Sequence, residues 1–588
     1  PDACEVWADG PVGFGHTLLR TTYESLAENQ PASLDRQFWI TADARIDCRA
    51  ELETELANAG RKVRQAAPDP ELILHAYAVW GEACVQHLRG DFAFAIWDAR
   101  RKTLFCARDH FGVKPFYYAD LGDLFLFSNT LNCLRLHADV SDELNESAIA
   151  DFLLFGLNCD EATTTFRDIR RLPPAHFLSV SAAGLRSTRY WSPPIDGRIR
   201  YHRSDEYVEH FQTLMQAAVA DRLRTSRAGI LLSGGLDSSA IAATARELSV
   251  KSGGTADLRA YTVTYESLLP DRDGDYAREV AEFLQIPIRC LPVDGLQLFE
   301  RWDDPELRWP EPVDDPFFAG LFDQFRMVAA DCRVVLEGEG MDNLMHFEMR
   351  PYVRHLARNR EWRHLFADVT LYLRLRPSIW PGVRRRFTSL LGRGNGASEF
   401  PQWFEPGFAK RMSLQDRWRE LSVVRTTPAH PVVPVAHASL TLPQWSHSLE
   451  LQDPGVTRCA VEVRHPFLDL RIVDYVLALP PFPWSFQKRL LREAMAGHLP
   501  ESVRLRPKTP LAGDSLVEML QRPGASAVDQ ACWTEQIDHY VNTAALPVLY
   551  GERNPELASA AIRPLCLNFW LQSVQRVRYN NYAEARNG

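Results

Sequence analysis

The run Ser233-Gly234-Gly235-Leu236-Asp237-Ser238-Ser239 gathers two glycines, three hydroxyls and a carboxylate into seven residues. It follows an apolar stretch at 229–232 and precedes a helical pattern from about 238, so the spacing predicts a strand-to-helix turn. Glycines there let bare N–H groups approach an anion, and the helix amino terminus adds a favourable dipole. Phosphate binding suits this composition, with Ser233 and Ser238 donating to the oxygens and Asp237 holding a magnesium ion among them. The structural alternative is a Gly-Gly turn with serine as N-cap. The run lacks the Gly-Lys-Ser/Thr ending of a P-loop, so it points to a pyrophosphate cradle and not to γ-phosphate transfer.

The elements that must position this loop are legible in the surrounding periodicity. Residues 1–190 carry short alternating runs at 37–40, 91–97, 103–107 and 124–128, with a helical stretch at 71–88 between them. This predicts an α+β unit of stacked sheets that ends near Tyr190-Trp191-Ser192-Pro193-Pro194. After a helix at 205–224 the pattern alternates: strand 229–232, helix 238–248, strand 259–264, helix 276–284, strand 333–336. Such alternation predicts a doubly wound parallel sheet of the α/β class. From 345 to 418 the chain is rich in Arg and aromatics, with a Gly-rich break at 392–396. That stretch reads either as a peptide-sized groove or as a solvated helical face. The expected divisions are 1–195, 205–515, and a helical extension over 516–588.

With 588 residues, 46% of them apolar, the chain is too long for one core. A net charge of −10 offers no global basic field, which excludes nucleic acid as the main partner. The eleven cysteines are scattered, without CxxC pairs or zinc spacing, as reduced thiols in a cytoplasm would be. No apolar run reaches the ~20 residues of a membrane helix, and no signal-peptide pattern opens the chain. It begins abruptly at Pro1, as a sequence lacking upstream residues would.

The Ser233–Ser239 loop resembles that of the PP-loop ATP pyrophosphatase domain in the asparagine synthetase family, whose members split ATP to AMP and pyrophosphate. Leu336-Glu337-Gly338-Glu339-Gly340-Met341-Asp342-Asn343 is similar to the family's Ser-Gly-Glu-Gly-x-Asp-Glu, with Glu337 for Ser and Asn343 for Glu. The resemblance implies that Asp342 joins Asp237 on Mg2+ and that Glu339 faces the reacting carboxylate or amine. It further implies that Leu232, Val263 and Gly338 join Ser233, Gly234, Gly235, Asp237 and Ser238 in binding ATP. Glu462-Val463-Arg464-His465-Pro466-Phe467-Leu468-Asp469 and Lys488-Arg489-Leu490-Leu491-Arg492-Glu493-Ala494 resemble two further family motifs. By the same resemblance Lys508, in Arg506-Pro507-Lys508, stabilises the charge that develops as the amine attacks. Arg464 and Asp469 are open to two readings, a buried ion pair or catalysis.

The runs 88–98 and 107–118 resemble the family's glutaminase domain, which uses an amino-terminal Cys as nucleophile. Here Pro1 stands first, Leu18 takes the place of an Arg that holds the glutamine carboxylate, and Ala42-Asp43-Ala44-Arg45 replaces the Asn-Gly-Glu run. A leucine cannot pair that carboxylate, so the domain is expected to be a scaffold without glutaminase activity. The nucleophile must then be an amine of the substrate, as in the family's lasso-peptide macrocyclases. That branch implies a precursor or core peptide as substrate, together with a leader peptidase and a leader-recognition protein. β-Lactam closure, asparagine formation from free ammonia, and a non-catalytic nucleotide sensor are the competing readings.

Overall fold

The computed structural model describes residues 1–195, 197–251, 253, 256–270, 272–375, 400–422, 430–507 and 513–587. A six-stranded antiparallel sheet organises the amino-terminal part. Along its strand Gly90–Asp98 the side chains alternate as the period-2 pattern requires. Phe92, Phe94 and Ile96 pack with Leu52, Leu56 and Leu72 of the helices Arg49–Asn58 and Asp69–Trp80. Ala93 and Ala95 face Phe14 of the hairpin formed by Ala3–Asp9 and Val12–Leu18, and Tyr118 of a second, three-stranded sheet. The stacked strands are as expected, but the helix predicted over 71–88 spans Asp69–Trp80 and stops where Gly81 takes φ +57, beyond which the chain tightens into a 3-10 turn.

The sheet of the carboxyl-terminal part has five parallel strands in the order Ile288–Pro292, Asp257–Thr264, Arg227–Leu231, Val334–Leu336, Glu462–Arg464. Both faces are covered. Ile230, Ala260 and Leu336 point into one core with Phe211, Ala242, Val280 and Val473, while Tyr261, Val335 and Val463 meet Phe325 and Val328 on the other side. The earliest strand is central: the chain winds outward through 257–264 and 288–292, then returns to the opposite side. The order therefore reverses between Arg227–Leu231 and Val334–Leu336, and the crevice beyond their carboxyl ends is where such sheets bind ligands.

Two strands escape the sequence pattern. Glu462–Arg464 has three residues with charged ends, and only its pairing with Val334–Leu336 makes it a strand. Ile288–Pro292 is an edge strand ending in proline, with too few residues to show a period. The helix Pro555–Asn587 does not stand apart: Ile562, Leu565 and Trp570 share a core with Tyr117, Phe152 and Phe166 from the first part of the chain. No helix among the described residues is long and apolar enough to cross a membrane.

Candidate active site

The loops that leave Arg227–Leu231 and Val334–Leu336 lie against each other at the switch point. Two glycines shape this region, one by seating the first loop on the helix behind it and one by letting the loops touch. At Gly234 φ is +71, and a Cβ there would come within 2.3 Å of the Asp273 carbonyl oxygen and 2.8 Å of Ala277 N. A Cβ on Gly338 would sit 2.7 Å from Ser238 N, so only glycine lets the second loop touch the first. Within the first loop, the Ser233 and Ser238 hydroxyl oxygens are 3.0 Å apart, and Gly235 N–H donates to Ser233 Oγ at 3.3 Å. The helix Leu236–Lys251 starts inside the motif, two residues earlier than the pattern predicts, which puts Asp237 in its first turn.

These loops form one wall of a cleft of about 1750 Å³. Leu232, Ser233, Gly235, Asp237, Ser238, Val263, Gly338, Glu339 and Asp342 all line it. Gly234 instead packs against the helix Asp273–Leu284 behind the loop.

Asp237 and Asp342 converge on a single ammonium, that of Lys488, which lies 2.5 Å from Asp237 Oδ2 and also pairs with Asp342. Sequence reasoning places Lys488 in a helical motif without giving it a role; its position at the head of that motif is the signal. Gln487 and Lys488 are consecutive left-handed residues, φ +51 and +53, a conformation L residues rarely adopt. Arg492 holds this turn by donating to the carbonyl oxygens of Gln487 and Arg506, each at 2.8 Å. Arg506 and Pro507 also line the cleft. Lys508, the next residue, lies outside the described residues.

Glu337 and Glu339 share the cleft wall. Burial, reinforced by the neighbouring Glu339 charge, pushes the Glu337 carboxyl up to about 8, although the Gln452 side chain hydrogen-bonds to it. Burial also raises Glu339.

Arg464 and Asp469 do not line the cleft and do not pair with each other. Arg464 is fully buried and donates to the Arg222 carbonyl at 2.7 Å, the Thr21 carbonyl at 3.1 Å and Glu462 Oε2 at 2.9 Å. Asp469 binds Arg222 and Arg471, each at 2.8 Å. Arg464 thereby ties its unit to the amino-terminal one through Thr21, whereas Asp469 fixes Arg222, which itself pairs with Asp47 of the amino-terminal unit at 3.2 Å. In the first unit, Leu18 is buried in the hairpin opposite Ala3. Asp43 holds Lys114 at 2.8 Å, and the fully buried Arg45 is clamped by Asp47 at 3.0 Å and Asp91 at 2.6 Å.

The glutamine amidotransferase domain family matches residues 1–191, and the asparagine synthase family matches residues 210–572. The chain belongs to the asparagine synthase family. Members of that family are ATP-dependent amide-forming ligases. Among curated relatives, asparagine synthetase [glutamine-hydrolyzing] 3 of Bacillus subtilis is 28% identical over 538 residues, covering 87% of this chain and 81% of the relative. The amidase chry2 of Gibberella zeae is 28% identical over 582 residues, covering 86% and 81%. A putative asparagine synthetase [glutamine-hydrolyzing] of Mycobacterium tuberculosis is likewise 28% identical, over 552 residues. The asparagine synthase match reaches into the helix Pro555–Asn587, so the residues beyond 515 are largely part of the family region and share its cores.

Proposed function

We propose that this asparagine synthase family chain activates a peptide carboxylate as an acyl-adenylate and closes it onto an amine of the same peptide, forming a macrolactam of the lasso type. The observation that carries the ATP half is the convergence of Asp237 and Asp342 on one positive charge across a glycine-built loop pair. The Lys488 ammonium stands in that position for a cation, so the two carboxylates suit Mg2+. When bound, that ion neutralises phosphate charge. The N–H groups and hydroxyls of Ser233, Gly235 and Ser238 hold the pyrophosphate portion, Leu232 and Val263 flank the nucleotide, and Glu339 faces the reacting groups.

The cleft, about 1750 Å³, has room for a second reactant as large as a short peptide beside a nucleotide, since a single small-molecule site takes roughly 300–1,000 Å³. Met349, Arg350 and Pro351, at the start of the helix Met349–Arg358, also line it. In this reading a leader peptidase and a leader-recognition protein deliver the core peptide. Nitrogen comes from the substrate, because Leu18 offers no charge to a glutamine carboxylate, and Asp43 and Arg45 are engaged in ion pairs.

The test is to incubate the purified chain with ATP, Mg2+ and a panel of peptides, small amino acids, and aspartate with ammonia or glutamine. AMP and pyrophosphate formed only with peptides, with loss of one water from the peptide, is the expected result. Stoichiometric ADP would overturn the cleavage site. Ring closure of a small amino acid, or glutamine-dependent asparagine, would overturn the substrate.

A further inference from the structure

The register of the two neighbouring parallel strands has a chemical consequence at their carboxyl ends. Leu336 pairs with Arg464, and Glu337 N–H donates to the Arg464 carbonyl oxygen at 3.0 Å. Glu337 and His465 therefore leave the sheet side by side, and Glu339 returns to them two residues later. One donor atom from each of the three lies within 4.8 Å of the other two. His465 Nδ1 is 3.6 Å from Glu337 Oε2, and both atoms are buried without a hydrogen-bond partner among the described residues. His465 is only 2% exposed.

A buried nitrogen and a buried carboxylate oxygen left unsatisfied side by side are costly unless something binds between them. Among the described residues neither Glu337 nor Glu339 forms an ion pair with Lys or Arg, and the only side-chain bond to Glu337 comes from Gln452. We propose that Glu337, Glu339 and His465 bind one divalent ion of the borderline class, represented by Zn2+ or Mn2+, at a site separate from Asp237 and Asp342. An imidazole nitrogen beside two carboxylates favours such ions over Mg2+ or Ca2+, which prefer all-oxygen shells. Three protein ligands leave open positions, and because Glu337 and Glu339 line the cleft those positions face substrate. This inference does not rest on the macrolactam reading.

Zn2+ is titrated calorimetrically into the metal-stripped full chain in excess Mg2+, with thermal unfolding followed for every variant. One equivalent should bind to the wild type and to the Asp237→Asn/Asp342→Asn double variant. Glu337→Ser, Glu339→Gln and His465→Gln should each weaken it by at least about tenfold. Mn2+ loaded into the same protein should show a nitrogen coupling in pulsed electron paramagnetic resonance that disappears in His465→Gln. The Glu337→Ser arm stands if His465→Gln fails to fold. Absence of stoichiometric Zn2+ binding, equal affinity in Glu337→Ser, or loss of binding in the double aspartate variant would overturn the site.

Discussion

Lys488 Nζ lies 2.5 Å from Asp237 Oδ2, across 251 residues of sequence. Asp342 pairs with the same ammonium. A lysine held between two carboxylates beside the Ser233–Ser239 loop lies where, on the proposed reading, the phosphates and their cation bind, and there it would donate to phosphate oxygens. Lys488→Met should therefore lower pyrophosphate exchange by roughly a hundredfold, the scale set by removing one preorganised donor to developing charge. Asp237→Asn and Asp342→Asn should each abolish it. Near-wild-type exchange in Lys488→Met would show that the pairing is only a surface contact.

Gly338→Ala tests the meeting of the two loops. The new methyl would have to displace backbone atoms of Ser238, with Cβ 2.7 Å from its nitrogen and 2.9 Å from its Cα. Overpacking of this kind costs about 1–3 kcal/mol. ATP affinity measured by equilibrium binding should fall along with melting temperature, whereas an alanine tolerated in both would mean that the loops have room to separate.

The Glu337 carboxyl gives a pH signature. Its ordinary value of 4.5 is raised to about 8 in the folded chain by burial and by Glu339. Between those two values the folded state holds more protons than the unfolded state, so stability falls as pH rises through the window. Glu337→Gln cannot titrate. In metal-free buffer its melting temperature should gain on the wild type steadily from about pH 5 to about pH 8. A gap that stays constant with pH would remove the shift.

Lys508 lies outside the described residues, directly after two that line the cleft. Lys508→Ala should slow single-turnover product formation by on the order of a hundredfold while leaving ATP binding and melting temperature within error, as expected for a group that acts on developing charge. A surface lysine would change the rate hardly at all.

What the sequence by itself determined is what depends on neighbours in the chain. Gly234, Gly235 and Asp237 follow an apolar strand at a spacing that makes a tight glycine turn into a helix wherever that strand lies, and the alternation along Gly90–Asp98 marks its two faces without reference to what covers them. The alternation of strands and helices after residue 204 likewise implies a parallel sheet, because only a helical crossover returns the chain in the same direction. Strand order carries no such local mark. The reversal that puts Val334–Leu336 next to Arg227–Leu231, and Glu462–Arg464 next to Val334–Leu336, is settled by which side chains bury together. From that order follow the contact of Gly338 with Ser238 and the pocket in which Glu337 and His465 face each other, while the meeting of Lys488 with Asp237 also needs the helix Arg489–Ala494 to bury Leu490 and Leu491 in the same core. The two left-handed residues that aim Lys488 are held by Arg492 and not by any glycine, so no turn signal in the sequence announces them.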